Sequence, residues 1–317
     1  MPDAAAVVLG MDVGGTSSRA LISDLSGSVL GVGDAAGGNP NSHPADEAVR
    51  QIATATRAAL RDVEPARVRA AVIGMAGVSK MADPLFRELF EREWARLGLS
   101  CELSAISDCE VAFAAGTPEP SGTVLIAGTG AIAARIDQHR LTGVAGGYGW
   151  LLGDEGSAYW LGREAVRATL GALDRGEQLH GLTAAVREAL LPGDPDAGRK
   201  QLITAVNAAP PIRLAELAPL VTKASDPVAA EIVERAARVL VDTAAQTRTP
   251  DDDTPIVLAG GLVAPENPLG KALRTELASR DFPAPHTAGP GAAGAAWLAA
   301  LDLTPDPATL HTRLLPA

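Results

Sequence analysis

Val7-Val8-Leu9-Gly10-Met11-Asp12-Val13-Gly14-Gly15-Thr16-Ser17-Ser18-Arg19 passes from an apolar run through a glycine turn into a second strand. Strands are expected at Val7 to Met11, Arg19 to Ser23 and Val29 to Val32, joined by turns rich in Gly, Asp and Ser. Gly14 and Gly15 permit positive φ and let backbone N–H groups approach an anion with no Cβ in the way, while Thr16 and Ser17 add hydroxyl donors. Asp12 closes the first strand, where a carboxylate is placed to hold Mg2+ through water beside phosphate oxygens. Gly10, Gly14 and Gly15 also read as plain hairpin glycines; Asp12 and Thr16 beside them favour the phosphate reading.

Outward from this hairpin the elements repeat. A helix from about Ala45 carries Ala48, Ile52, Ala55, Ala59 and Val63 on one face. Then come a strand (Val68 to Met75), a helix with Pro84 in its first turn (Asp83 to Leu97), a strand (Glu102 to Ile106) and a helix from Asp108. The order is βββαβαβα. Strands near Thr123 to Ala127, Ala131 to Ile136 and Leu141 to Ala145 restart it, followed by a helix from Gly156, a helical block over about 180–250, a strand (Pro255 to Ala259), a helix (Pro268 to Arg280) and a Gly/Ala-rich helix (Gly291 to Leu301). This predicts an α/β protein of two duplicated lobes around a cleft, with a helical insertion in the second. The lobes are expected at 1–118 and 119–301, with Pro118-Glu119-Pro120-Ser121 as hinge and 302–317 packing back on the first.

The second lobe opens on its own glycine turn, Gly128-Thr129-Gly130-Ala131, at the equivalent place. Two such turns facing across a cleft would clamp a polyphosphate. Two rival phosphate motifs fail. Gly270-Lys271 is followed by Ala272, which breaks the P-loop pattern. Gly128-Thr129-Gly130-Ala131-Ile132-Ala133 resembles a dinucleotide fingerprint, but Gln138-His139 and Gly143 leave no room for the helix that pattern needs.

Composition bounds the partners. With 317 residues, 47% apolar and 21% charged, the chain has core enough for two domains. A net charge of -11 argues against nucleic acid or an anionic membrane. Only four lysines occur (Lys80, Lys200, Lys223, Lys271), so phosphate contacts are expected from backbone N–H groups, arginines and a metal. Cys101 and Cys109 form no metal-binding spacing. Met1 to Leu9 lacks the features of an export signal and no stretch is long and apolar enough to span a bilayer, so a cytoplasmic protein is expected.

Residues 143–163 crowd seven glycines, Asp154, Glu155 and four aromatics (Tyr148, Trp150, Tyr159, Trp160) into a chain that is 3% aromatic. Flat apolar faces beside carboxylates suit a carbohydrate, though aromatics also simply pack a core.

Together these motifs resemble the BadF/BadG/BcrA/BcrD branch of the actin-like ATPase (ribonuclease H-like) superfamily that includes hexokinase, and within it N-acetylglucosamine kinases. The resemblance covers nearly the whole chain: the Asp12 hairpin, Asn39 in Gly37-Gly38-Asn39-Pro40-Asn41, Ser107-Asp108, Gly128-Thr129-Gly130, and above all Gly146 to Trp160. It implies an ATP- and Mg2+-dependent kinase acting on the 6-hydroxyl of an amino sugar, N-acetylglucosamine first and glucosamine second, working as a homodimer. Asp108 matches the general base. Asn39, Gly130, Gly147 and Asp154 match sugar-binding positions, and Thr129 a position next to both sugar and phosphate. Gly260 and Gly261, with Gly291 to Ala296, match segments flanking the adenosine. Such kinases commonly carry Asn two residues after the Gly-Thr-Gly, where this chain has Ile132.

The residues themselves leave alternatives. Asp108 starts a helix after an apolar strand, which suits an N-cap as well as a base. Asp154 and Glu155 precede a helix and could cap it; Asp154 is expected on sugar hydroxyls and Glu155 in a structural role. Asn39 and Asn41 suit turn formation, His43 reads as a loop residue, and Arg19 suits phosphate or a surface acid. Gly260, Gly261 and Gly291 could serve helix packing. A dehydratase-activating ATPase is disfavoured because it would need cysteines for an iron–sulfur cluster. A non-catalytic sugar sensor on the same fold is the opposing reading.

Overall fold

The computed structural model describes residues 6–316; Met1–Ala5, part of the stretch read for an export signal, and Ala317 lie outside the described residues. Alternation along β1 (Val7–Val13) sets up the first unit. Val7, Leu9, Met11 and Val13 join one core, whereas Val8 joins another on the opposite face, with Gly10 and Asp12 following it by the strand's period of two. β1 pairs antiparallel with β2 (Ser17–Asp24), which pairs antiparallel with β3 (Val29–Ala36).

α1 (Ala45–Ala59) follows and buries the predicted stripe, ending before Val63, which is buried beyond it. β4 (Val68–Met75) lies parallel to β1 on its other edge. α2 (Pro84–Arg96) starts from an Asp83 cap, and β5 (Leu103–Ile106) extends the sheet in parallel before α3 (Asp108–Ala114).

The second unit repeats the plan. β6 (Gly122–Ala127), β7 (Ala131–Asp137) and β8 (Arg140–Gly146) lead into α4 (Ala158–Asp174). α5 (Gly181–Leu190), α6 (Arg199–Asn207), α7 (Ala218–Lys223) and α8 (Pro227–Ala245) fill the predicted insertion. Then come β9 (Ile256–Ala259), α9 (Pro268–Ser279) and β10 (His286–Thr287), a strand too short to show a pattern in sequence. The sheets have the orders β3-β2-β1-β4-β5 and β8-β7-β6-β9-β10, the same topology twice, with β9 parallel to β6 and β10 parallel to β9. The fold is the expected duplicated α/β one.

By internal packing one unit comprises, of the described residues, 6–122, Ile136–Leu141 and 288–316, the other Thr123–Arg135 and Thr142–Thr287. α10 (Gly291–Ala300), which the sequence assigns to the second lobe, packs with the first. Its surface is alanine, glycine, Trp297 and Leu298, apolar on all sides, so it must be covered from several directions; Val8, Val72, Ile106, Val111 and Ala114 supply that cover. α11 (Pro307–Leu314) joins the same core through Leu310 and Leu314. Among the described residues no helix is long and apolar enough to cross a membrane, and Cys101 and Cys109 are both free thiols.

Candidate active site

The end of β1 concentrates charge in the first unit. Gly10 is required where α10 crosses the strand, because the α10 backbone at Ala292 and Ala296 occupies the space of a Cβ. Two residues on, Asp12 meets the start of α10: any side chain on Gly291 would collide with the Asp12 carboxylate. A helix N-terminus favours such a charge.

Asp108 is the second carboxylate. The N-cap of α3 is Ser107, whose side chain and that of Glu110 form a capping box, Ser107 N–H donating to Glu110 Oε2 at 2.6 Å. The capping role left open for Asp108 therefore belongs to Ser107, and Asp108 occupies the first helical position. Its Oδ1 accepts the Cys109 N–H at 3.0 Å and the Ser107 hydroxyl at 3.1 Å.

Burial pushes the Asp108 carboxyl above the usual carboxylate range. Burial, then repulsion from Asp108, pushes Asp12 up to about 6, with Arg19 pulling the other way. Arg19 also pairs across the sheet with Asp34 at 3.7 Å, the surface acid allowed for it.

The turn after β1 differs from expectation in one respect. Neither Gly14 nor Gly15 has a positive φ; what they provide is open backbone, with Gly15 and Thr16 exposed. The Gly14 N–H donates to Ser17 O at 2.9 Å and so is spent inside the turn. Asn39 is buried, its backbone N–H donating to Gly14 O at 3.2 Å and its Oδ1 accepting from Asn41 N–H at 2.8 Å. The turn-forming role is thus real, and the same loop lies against the Gly14–Gly15 turn.

In the second unit, Gly130 makes room for Asp154: a methyl on Gly130 would lie 2.8 Å from Asp154 Oδ2. Asp154 is itself left-handed, with φ 60, and Oδ1 accepts the Ala131 N–H at 3.3 Å. Burial raises its pKa. The α4 cap is Ser157, accepting from Trp160 N–H at 3.2 Å, so neither Asp154 nor the exposed Glu155 caps the helix. Gly128 N–H donates to Gly130 O, while Gly128 O and Thr129 O accept from Ala158 and Tyr159 N–H, pinning the start of α4 to the turn. Gly128 also lacks a positive φ and has no atom within contact of a notional Cβ.

Gly147 has φ +67, and the Ile132 side chain occupies its Cβ space at 2.7 Å. Gly260, at φ +102, abuts Ala127 O, while Gly261 faces open space. Tyr159 and Trp160 are buried, Trp160 beneath Arg235 at 5.1 Å, whereas Tyr148 and Trp150 are exposed, so the aromatic run is divided between core and surface.

Thus Asp12, Asp108 and Gly291 gather at one end of the first sheet, with the Asn39 loop on the Gly14 turn, while Gly128, Gly130 and Asp154 gather in the second unit. Ser107 is the positioning residue that sequence reasoning missed, though its Ser-x-x-Glu spacing to Glu110 was a legible signal. No group of three or more His, Cys, Asp or Glu side chains suited to a metal occurs among the described residues.

The sequence model of the BadF/BadG/BcrA/BcrD ATPase family matches residues 9–299. The chain belongs to this ATPase family. It is 30% identical over 174 residues to an N-acetylmuramic acid/N-acetylglucosamine kinase of Clostridium acetobutylicum, covering 54% of this chain and 56% of that protein. It is also 30% identical over 194 residues to an N-acetyl-D-glucosamine kinase of Dictyostelium discoideum, covering 58% of this chain and 60% of that one. The aligned stretches thus span little more than half the length of these curated relatives. A candidate N-acetylglucosamine kinase of Chromobacterium violaceum shares the fold of this BadF/BadG-type chain with a TM-score of 0.72 at 24% identity, over 94% of this chain and 99% of that one.

Proposed function

We propose that the protein is an ATP-dependent kinase that phosphorylates the 6-hydroxyl of an amino sugar, N-acetylglucosamine before glucosamine. The observation carrying this reading is Asp108: half-buried, relieved of capping by Ser107, held through Oδ1 and raised above the ordinary carboxylate range. In the proposed step its carboxylate takes the O6 proton as O6 bonds to the γ-phosphorus and the bond to the bridging oxygen breaks, releasing ADP. Asn39, Gly130, Gly147 and Asp154 hold the sugar, and Thr129 sits beside both substrates. Gly14, Gly15, Thr16, Ser17, Gly128, Gly260, Gly261 and Gly291 serve the nucleotide, with Gly14 contributing space rather than its amide.

Magnesium fits Asp12. Two half-buried carboxylates, with burial and then Asp108 raising the cost of ionising Asp12, suit a divalent cation, and Mg2+ needs only one or two carboxylates when phosphates complete its shell. Bound there, the ion would supply neutralisation of phosphate charge.

Ile132 against Gly147 gives that side of the sugar site an apolar wall.

The test is ADP release with glucose, glucosamine, N-acetylglucosamine, N-acetylmannosamine and N-acetylmuramic acid, using wild type and Asp108→Asn. Turnover of an N-acetylated sugar that falls about 10²- to 10⁴-fold in the variant is expected. Sugar binding without turnover of any of them would replace the kinase by a sensor.

A further inference from the structure

His43 closes a connection between two loops to which the proposed function gives different substrates. The loop Gly37–His43 is folded on itself: Asn39 O accepts from Ser42 N–H at 3.0 Å and from His43 N–H at 3.1 Å, and Asn39 Oδ1 accepts from Asn41 N–H at 2.8 Å. It is then fastened to the turn after β1 through two consecutive carbonyls. Gly14 O accepts from the N–H groups of Gly38 and Asn39, both at 3.2 Å, and Gly15 O takes the His43 side chain, Nε2 to O at 2.8 Å. The approach is close enough that Gly37 has no room for a Cβ over Gly15 O, and a Cβ on Gly15 would meet the Ser42 hydroxyl at 3.3 Å.

The peptide plane explains why this matters. Fixing the Gly14 and Gly15 carbonyls fixes the orientation of the amides that follow them, those of Gly15 and Thr16, since each C=O and the next N–H share a rigid unit. Gly14's own amide is already committed to Ser17 O, so these are the next donors an anion would meet. Asn39 and His43 belong to one small self-bonded loop, so a shift of Asn39 toward a bound sugar moves the group that holds Gly15 O.

Resting on the kinase reading above, we infer that His43 is a positioning residue that couples sugar binding at Asn39 to nucleotide binding at the Gly14–Ser17 turn. It touches neither substrate. Its Nε2–H donates to Gly15 O, so Nδ1 is the acceptor in the neutral ring. The requirement is a donor at the Nε2 position, and a glutamine side chain can reach the same point with an N–H, which alanine cannot.

The experiment measures the affinity of a non-hydrolysable ATP analogue with Mg2+, by calorimetry, with and without saturating N-acetylglucosamine, in wild type, His43→Ala and His43→Gln. Coupling between sites typically amounts to about 5- to 150-fold. The expected result is that the sugar tightens the nucleotide at least about five-fold in wild type and His43→Gln, and less than about two-fold in His43→Ala. Sugar affinity in the absence of nucleotide should stay within about two-fold across the three. In turnover, His43→Ala should raise the KM for ATP at saturating sugar with little change in kcat.

Full coupling in His43→Ala, or loss of it in His43→Gln as well, overturns the role of His43 while leaving the kinase reading intact. Independent binding of the two ligands to wild type does the same. A wild type that binds neither ligand fails the kinase reading itself, and this inference with it.

Discussion

At the residue scale, the burial of Asp12, reinforced by repulsion from Asp108, has a consequence for stability that can be separated from catalysis. The Asp12 carboxyl is raised to about 6, so between the ordinary carboxylate range and that value the folded protein keeps a proton the unfolded chain has released. The stability this proton provides is present at low pH and lost as pH rises through about 6. Asp12→Asn should therefore be more stable than wild type without ligand above that pH, by about 2 kcal/mol, with the gain vanishing below about pH 4. Melting temperature against pH for the two proteins checks it; a pH-independent difference would refute the raised Asp12 carboxyl. The same variant should lose most of its turnover. Asp108 predicts the opposite pH trend in kinetics: as a base raised by burial, it should make kcat/KM fall with decreasing pH at a midpoint above that of an ordinary aspartate.

Both aspartates were legible because Asp12 lies at the end of one apolar strand and Asp108 follows another. What was not legible was who else would serve: whether Asp108 capped its helix depended on Ser107 taking that place, and Gly130 could not be seen as the space for a carboxylate 24 residues further along the chain.

At the scale of elements, α10 turns on two glycines. Gly10 lets it lie on β1, and Gly294 lets α3 approach, where a Cβ would come within 2.6 Å of Val111 O. Backbone, not a flexible side chain, fills the space at Gly10, so Gly10→Ala should force the helix off the strand and cost about 1–3 kcal/mol. Because α10 starts on Asp12, activity should fall further than stability alone explains. Denaturant unfolding and turnover at a temperature where the variant is fully folded would separate the two effects. Ser107→Ala is milder: loss of the cap should cost about 1 kcal/mol and lower kcat more than sugar affinity, since the fold survives while Asp108 Oδ1 loses a donor.

Strands and amphipathic helices were readable at this scale from their periods. α10 showed as a helix, but a helix apolar on every side names no partner, and so its placement could not be read.

At the scale of the whole molecule, the chain completes its first unit only at its end. The topological repeat could be read from element order, and 302–317 was expected back on the first lobe, yet that 288–301 goes with it depends on which surfaces match in three dimensions. α11 buries Leu310, Leu314 and the adjoining Leu315 beside α10. His311 Nε2 bonds to Ala114 O at 2.8 Å, at the far end of the helix that Asp108 begins, and its ring meets Trp297 edge-on at 5.1 Å. Trp297 in turn donates its indole N–H to Pro307 O at 2.7 Å. A chain ending at Leu303 would strip all of this away and expose Trp297. Three leucines at roughly 1.5–3 kcal/mol each, less what a partly collapsed surface recovers, put the loss on the order of 5 kcal/mol. For a unit of this size that corresponds to a fall in melting temperature of roughly 10–20 °C. Hydrogen exchange should quicken in α3 and α10 while α8 and β9, which belong to the other core, keep their protection. Equal loss of protection in α8 and β9 would show that α11 supports the molecule at large and not the first core in particular. Full retention in α3 would mean that the hydrogen bond from His311 holds nothing in place.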